Sequence, residues 1–232
     1  MQLHFENRAA AGRALGAALL ARGRWHDPLV LALPRGGVPV AREVARALHA
    51  PWDLLLVRKL GAPGQPELAL GALAEDGTLE LNHALVRQLG VDPAWIDEAA
   101  RTAARELRRR AGLWRGAREA AVAAGRDVIV VDDGVATGAS MRVALRALRA
   151  QHPARIVAAA PVAPPDVDFS QLADAFVCLA RPRAFSAVGA YYADFAQVDD
   201  DAVREQLAEA AQPAADAHSG ASAFNLQAEL RS

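Results

Sequence analysis

The sequence predicts an α/β chain built on a doubly wound, mostly parallel sheet. Short, almost wholly apolar runs bounded by turn residues, such as "PLVLAL" and "DVIVV", recur along the chain, as strands buried on both faces require. Between them lie stretches whose apolar residues return at helical spacing, and such alternation folds into a parallel sheet with right-handed crossovers. A third observation gives that sheet a working edge. Three strands run into "PRGG", "RKLGAPG" and "DDGVATGAS", and ligands of open α/β sheets sit beyond the carboxyl ends of the strands.

Each element has its own warrant. Residues 5–22 read as a helix. The run 28–33 is the first strand, and after "PRGG" the residues Val40, Val44 and Leu48 recur at helical spacing. "DLLLVRK" (53–59) reads as the second strand, and "LGAPGQPE" (60–67), rich in Gly and Pro, as a loop. "LALGALAEDGTLELN" reads as a hairpin turning at Asp76-Gly77. Residues 83–120 read as an arginine-rich helical insertion, with Asp92 as a cap and Pro93 in the first turn. "DVIVVDD" is the third strand, "SMRVALRALRAQH" its helix, and "RIVAAAPV" and "AFVCLA" supply two more strands. One domain over residues 1–210 accounts for these elements, and residues 211–232 read as a loosely ordered tail.

Composition narrows the function classes. The formal net charge is -1 and no basic stripe carries interleaved aromatics, so nucleic acid is not an expected partner. No apolar run approaches the ~20 residues that span a bilayer, and the first 25 residues lack the charged-then-apolar order of a signal peptide. The single cysteine, Cys178, has no internal disulfide partner and reads as packing. The expectation is a soluble, cytoplasmic protein. The six histidines show no metal-ligand spacing, and "FSAVG" lacks the order of a hydrolase elbow. Lys59 is the only lysine among many arginines, which suits a site that wants a compact ammonium rather than a planar fork.

The stretch "VIVVDDGVATGAS" raises the sharpest question, because carboxylates at the end of a buried strand are costly unless compensated. After Asp132 and Asp133 come Gly134, Val135, Ala136, Thr137, Gly138, Ala139 and Ser140, leading into a helix. A small-residue loop at a helix N-terminus presents backbone N–H groups to an anion, and Thr137 and Ser140 add hydroxyl donors. The two acids would repel a phosphate directly. They make sense accepting hydrogen bonds from sugar hydroxyls, or facing a divalent cation. The plainer reading is an acidic helix cap. The spacing excludes a P-loop and a dinucleotide fingerprint.

This stretch resembles the phosphoribosyl-pyrophosphate (PRPP) motif of type I phosphoribosyltransferases, and the resemblance extends over about residues 25–200. The layout with its insertion looks like a bacterial group of phosphoribosyltransferase-like proteins. The resemblance implies that fold, with a small hood over the base at residues 181–198. It implies ribose hydroxyls on Asp132 and Asp133, with the 5′-phosphate on the loop from Gly134 through Ser140. "PRGG" resembles the family's pyrophosphate loop, where Gly36 and Gly37 let amides face a diphosphate and Arg35 complements its charge; members often carry a strained peptide bond there. "VRKLGAP" resembles the Arg-Lys of adenine phosphoribosyltransferases, which gives Arg58 and Lys59 a catalytic place at the pyrophosphate under a closing loop. Glu67, at the end of that loop, is a candidate proton acceptor or a surface glutamate.

"RPRAFSAVGAYYADF" loosely resembles the hood of 6-oxopurine enzymes, with Phe185 stacking on a base and Val188 offering backbone groups; alternatively these aromatics are core. Ala136 stands where 6-oxopurine enzymes carry a carboxylate, as in adenine enzymes, so the resemblances disagree about the base. Arg101, Arg105 and Arg108 share a helical face, with Arg109, Arg110 and Arg115 nearby. They form a solvated face paired with Glu98 and Glu106, or a lid or subunit contact. The expectation is a Mg²⁺-dependent transferase acting on PRPP and a small nitrogenous base, the metal held mainly by the ligand and the chain a homodimer. The alternatives are a PRPP or nucleotide sensor without turnover, and a hydrolase or phosphorylase acting on a ribose phosphate.

Overall fold

The computed structural model describes residues 4–211. Helix α1 (Arg8–Leu20) leads into β1 (Leu29–Ala32), α2 (Gly37–Leu48) and β2 (Trp52–Leu54). The chain then builds an antiparallel set, β3 (Val57–Ala62), β4 (Gln65–Ala74) and β5 (Leu79–Leu81), followed by α3 (His83–Leu89) and α4 (Pro93–Arg115). It returns with β6 (Asp127–Val131), α5 (Ala139–Arg149), β7 (Arg155–Val162) and β8 (Ala175–Ala180). A 3-10 turn (Val188–Tyr191) and α6 (Asp200–Ala211) complete the described part. No described helix is long and apolar enough to cross a membrane.

Five parallel strands form the main sheet in the order β2-β1-β6-β7-β8. Every residue of β1 and β6 is buried, so both faces need cover. Alternation along the strands divides the core accordingly. Val30, Ala32, Ile129 and Val131 pack with Leu15, Leu19, Val40, Val44 and Leu48 of α1 and α2. Leu29, Leu31, Val128 and Val130 pack with Met141, Leu145 and Leu148 of α5. From β1 the chain steps one way to β2 and later the other way to β6, which makes the β1–β6 boundary the switch point where a ligand crevice opens. Ala32 pairs with Val131 there, so the loops after β1 and β6 leave the sheet side by side.

Three expected elements differ. The apolar stretch 53–59 is not one strand: β2 ends at Leu54, the buried Leu55 and Leu56 carry the chain out, and Val57 begins β3 in the second sheet. The stretch 60–67 is not an open loop. It forms the outer part of the β3–β4 hairpin, with the pairing slipping at Leu60/Gly61 and again at Gly61/Ala62. The insertion 83–120 is two helices, broken at Gly90 (φ 61°), and α4 ends at Arg115 rather than continuing to 120. Its start is as expected, with Asp92 Oδ1 accepting the Ala94 N–H at 2.9 Å. Helix α6 has no counterpart in the sequence reading, and the tail expected after residue 211 lies outside the described residues.

The insertion is fastened by buried charge. Arg115 donates from Nε to Asp53 Oδ1 at 3.1 Å, from Nη1 to Glu75 Oε2 at 2.8 Å and from Nη2 to the Leu54 carbonyl at 3.1 Å. Asp53 also accepts from Arg118 Nη2 at 2.7 Å and the Ala121 N–H at 2.9 Å. Every buried charge here has partners, which is the condition for keeping it in a core.

Candidate functional site

The loop after β6 carries the main constellation. Asp132 turns its Oδ1 back to the Asp133 N–H at 2.9 Å, and the Val135 N–H donates to the Val162 carbonyl at 2.8 Å, which holds the loop against the end of β7. Gly138 sits at φ 77°, a conformation L side chains rarely adopt, and opens α5 with no side-chain cap. Thr137 Oγ1 accepts the first N–H of the helix, that of Ala139, at 3.4 Å, and the loop and the start of α5 together wall a cavity of about 180 Å³ formed by Asp132, Gly134, Val135, Ala136, Thr137, Gly138, Ala139, Ser140, Met141 and Val188. One small cavity thus joins a carboxylate to an anion cradle.

Burial pushes the Asp132 carboxyl well above the usual carboxylate range, and the neighbouring Asp133 charge adds to it. Burial also raises Asp133, against the opposing pull of Arg8. Arg8 Nε donates to Asp133 Oδ2 at 2.7 Å, its Nη1 donates to the Ala196 carbonyl at 2.7 Å, and its guanidinium lies 3.8 Å from the Phe195 ring centroid. The Tyr192 hydroxyl donates to the Asp133 carbonyl at 2.5 Å. Burial, then the Asp133 charge, push that phenol upward, so it remains a donor.

The sequence reading missed Arg8, Tyr192 and Phe195 as neighbours of the acids. One signal was available for Arg8: it is the first residue of α1, where the helix dipole disfavours a cation.

The pyrophosphate-type loop touches this constellation. A Cβ on Gly36 would lie 2.1 Å from Asp133 Oδ2, and one on Gly37 would lie 2.6 Å from the Val131 carbonyl oxygen. Only glycine lets the two loops approach so closely. The Pro34–Arg35 peptide is cis. Arg35 reaches outward to Asp200 of α6, Nη1 to Oδ1 3.4 Å, rather than lying over the glycines.

Arg58 and Lys59 lie on β3, where they line a second cavity of about 460 Å³ with Val57, Gly61, Pro66, Ala139, Ser140 and Val143. Ala139 and Ser140 wall both cavities, so the hairpin and the phosphate-type loop face one another. Arg58 stands 4.0 Å from Glu106 of α4. Hydrogen bonds from Arg109 and Arg110 hold that glutamate down at about 2. Arg101 and Arg105 pair with Glu98, so these four arginines run along the helix's own solvated face. Arg108 is exposed, and Arg115 belongs to the buried network.

In the expected hood, Phe185 stacks on Tyr191 with centroids 5.7 Å apart, within the cluster of Phe5, Val162 and Tyr192. Val188 packs on the phosphate-type loop: a Cβ on Gly134 would lie 2.3 Å from its Cγ1. Cys178 donates its S–H to the Ala180 carbonyl at 3.1 Å, and burial pushes its thiol up.

The sequence model of the phosphoribosyl transferase domain matches residues 3–195. Two curated Mycobacterium tuberculosis relatives, provisionally named phosphoribosyl transferases, are each 47% identical over 201 residues, or 86% of this chain and 45% of the relative. The chain therefore spans about half the length of the curated relatives it matches. The crystal structure of TT1426 from Thermus thermophilus matches with a TM-score of 0.83 at 46% identity, covering 91% of this chain and 100% of that one.

Proposed function

The chain belongs to the phosphoribosyl transferase family, and from that premise we propose that it moves the 5-phosphoribosyl group of PRPP onto a nitrogenous base with release of pyrophosphate. One observation carries the reading: Asp132 and the uncapped start of α5 share a single small cavity. A phosphate alone would be repelled by the acid and a neutral sugar would not need the cradle. A sugar phosphate uses both.

In this reading the 5′-phosphate rests on the N–H groups of residues 136–140 with the Thr137 and Ser140 hydroxyls. The ribose hydroxyls meet the acidic pair, and their hydrogen bonds offset the burial that raises Asp132. The diphosphate extends toward Gly36, Gly37 and Lys59, within reach of Arg35 and Arg58. Val188, and behind it Phe185, bound the place for the base. Residues here attack nothing. They orient the ligand, neutralise the departing diphosphate and exclude water while a base nitrogen forms its bond to the anomeric carbon as the bond to diphosphate oxygen breaks.

The donor set fits a ligand-borne Mg²⁺. No described group of three His, Cys, Asp or Glu side chains could cage a metal, and Mg²⁺ is commonly held by one or two carboxylates, waters and substrate phosphates. Asp132 is the carboxylate on the cavity wall. When bound, the cation would spread the charge developing on the diphosphate. The same reading takes the protein to be cytoplasmic and a homodimer.

The test is calorimetric titration with PRPP and Mg²⁺, then pyrophosphate release across a panel of purine and pyrimidine bases. Binding with release for one base is the expected result. Binding without release for any base would make the protein a sensor, and no binding would overturn the reading.

A further inference from the structure

The alternation of β3 sends its two cations to opposite faces. Val57 packs with the α5 cluster of Met141 and Leu145, and Leu60 packs with Ala103 and Leu107 of α4. Lys59 therefore shares the α5 face with Val57, and Arg58 shares the α4 face with Leu60. Arg58 nonetheless lines two cavities: the larger one beside Ala139 and Ser140, and another of about 300 Å³ toward Trp95, Ala99 and Thr102 of α4. It thus stands between the ligand side and the insertion.

On the insertion side Arg58 meets Glu106, but loosely. Its Nη1 is 4.0 Å from Glu106 Oε1, beyond hydrogen-bond length. Glu106 is already satisfied from its own helix. Arg109 donates from Nε to Oε2 at 2.9 Å and from Nη2 to Oε1 at 3.1 Å, and Arg110 donates from Nε to Oε1 at 2.8 Å. Spacings of three and four residues bring such side chains together on a helix. The guanidiniums of Arg58, Arg109 and Arg110 therefore gather about one carboxylate, and of these Arg58 is the one from outside α4. It can leave without stranding the acid.

We infer, resting on the phosphoribosyl reading, that Glu106 is a positioning residue: it holds Arg58 on the insertion while the site is empty and yields it to the diphosphate when PRPP binds. Arg109 and Arg110 keep that hold weak, because they still neutralise Glu106 after Arg58 has gone. The exchange needs only rotation of the Arg58 side chain, with β3 staying in place. The insertion thereby tunes diphosphate affinity without touching the ligand.

The probe is inorganic pyrophosphate with Mg²⁺, titrated into the full chain by calorimetry. Ribose 5-phosphate, which lacks the diphosphate, is the control. An exposed ion pair shifts an equilibrium about two- to fivefold, so Glu106→Gln should strengthen pyrophosphate binding by about that factor. Arg109→Met removes two of the hydrogen bonds on Glu106, which then holds Arg58 harder, so binding should weaken about two- to fivefold. Ribose 5-phosphate binding should stay nearly unchanged in both. The double variant should match Glu106→Gln, because without the carboxylate Arg109 has nothing to neutralise. In an Arg58→Met chain neither substitution should change pyrophosphate binding. A general field of the helix charges predicts the reverse: the double variant would return to wild type, and both effects would persist without Arg58. Either of those results overturns the proposal, as does a Glu106→Gln chain that binds pyrophosphate more weakly. Arg109 is 62% exposed, so should Glu106→Gln fail to fold, Arg109→Met in the wild-type and Arg58→Met chains carries the comparison. A wild-type chain that binds neither pyrophosphate nor PRPP would instead overturn the phosphoribosyl reading beneath it.

Discussion

Arg35 and Asp200 meet between the loop after β1 and the start of α6, 3.4 Å apart, and the same Asp200 oxygen accepts the indole N–H of Trp114 at 2.9 Å. The cation proposed to complement the diphosphate is thus paired with a carboxylate that a diphosphate would repel. Arg35→Gln should weaken PRPP binding about tenfold and leave ribose 5-phosphate binding within about twofold, because only PRPP carries the group Arg35 serves. Asp200→Asn keeps an acceptor for Trp114 and removes the competing charge, so it should strengthen inorganic pyrophosphate binding about twofold. Calorimetry with the three ligands checks all of this, and equal losses for PRPP and ribose 5-phosphate in Arg35→Gln would refute it.

Gly36→Ala places a methyl group 2.1 Å from Asp133 Oδ2. The carboxylate cannot yield freely while Arg8 holds it, so the loops must part. Overpacking of this kind costs about 1–3 kcal/mol, or a fall of about 3–10 °C in Tm for a chain of this size. PRPP binding should be lost in the folded variant. A variant with unchanged Tm and affinity would show that the two loops are looser than they stand here.

Asp132 gives a pH-dependent stability whose sign follows from its environment. Its pKa in the folded chain is raised, by burial first and by Asp133 second. Such a group contributes stability that is fully present below its unfolded pKa and is lost as pH rises through the folded one. At neutral pH the ligand-free wild type should therefore be less stable than Asp132→Asn, by about 2–4 °C in Tm. The gap should close as pH falls into the ordinary carboxylate range. Thermal melts of both proteins from pH 4 to 8, near the span where carboxylates with raised pKa titrate, would show it. A wild type that stays ahead at neutral pH contradicts the assignment.

Lys59 stands on the hairpin that faces Ala139 and Ser140 across the larger cavity. If it neutralises the leaving diphosphate, Lys59→Ala should lower the rate of pyrophosphate release about 10²–10³-fold, the scale for removing one donor to developing charge. PRPP affinity should change less. Lys59→Arg should rescue little, since a planar fork does not replace a compact ammonium at one point. Single-turnover release measurements separate the two effects.

The strands of the main sheet were legible because β1, β6 and β7 are buried almost throughout and carry a charged residue only at the first positions of β6 and β7, Asp127 and Arg155. The acidic pair and its loop were legible because their residue types sit in one continuous stretch. What escaped the sequence was chemistry assembled across distance. Arg8 reaches an acid 125 residues away, and no local pattern marks that meeting except a cation at the wrong end of a helix. The exit of the chain between Leu54 and Val57 was hidden for another reason. Leu55 and Leu56 are buried in either arrangement, and apolar pattern reports burial, not which sheet is joined. The outer part of the β3–β4 hairpin, residues 60–67, reads as a loop because glycine and proline, which signal turns, also occupy a bulged ladder.

That hairpin behaves mechanically as a cantilever. Its root is clamped where Glu75 donates its N–H to the Leu56 carbonyl at 3.2 Å and where Arg115 bolts Glu75 to Asp53. From Val57 to Ala62 the beam runs about 17 Å at the usual rise per strand residue. Its ladder is notched near Gly61, where the register slips twice and a bulged strand bends most readily. Load applied at the tip is therefore relieved at the notch and not at the root. Bending there would move residues 62–66 while Arg58 and Lys59, on the clamped side, kept their places.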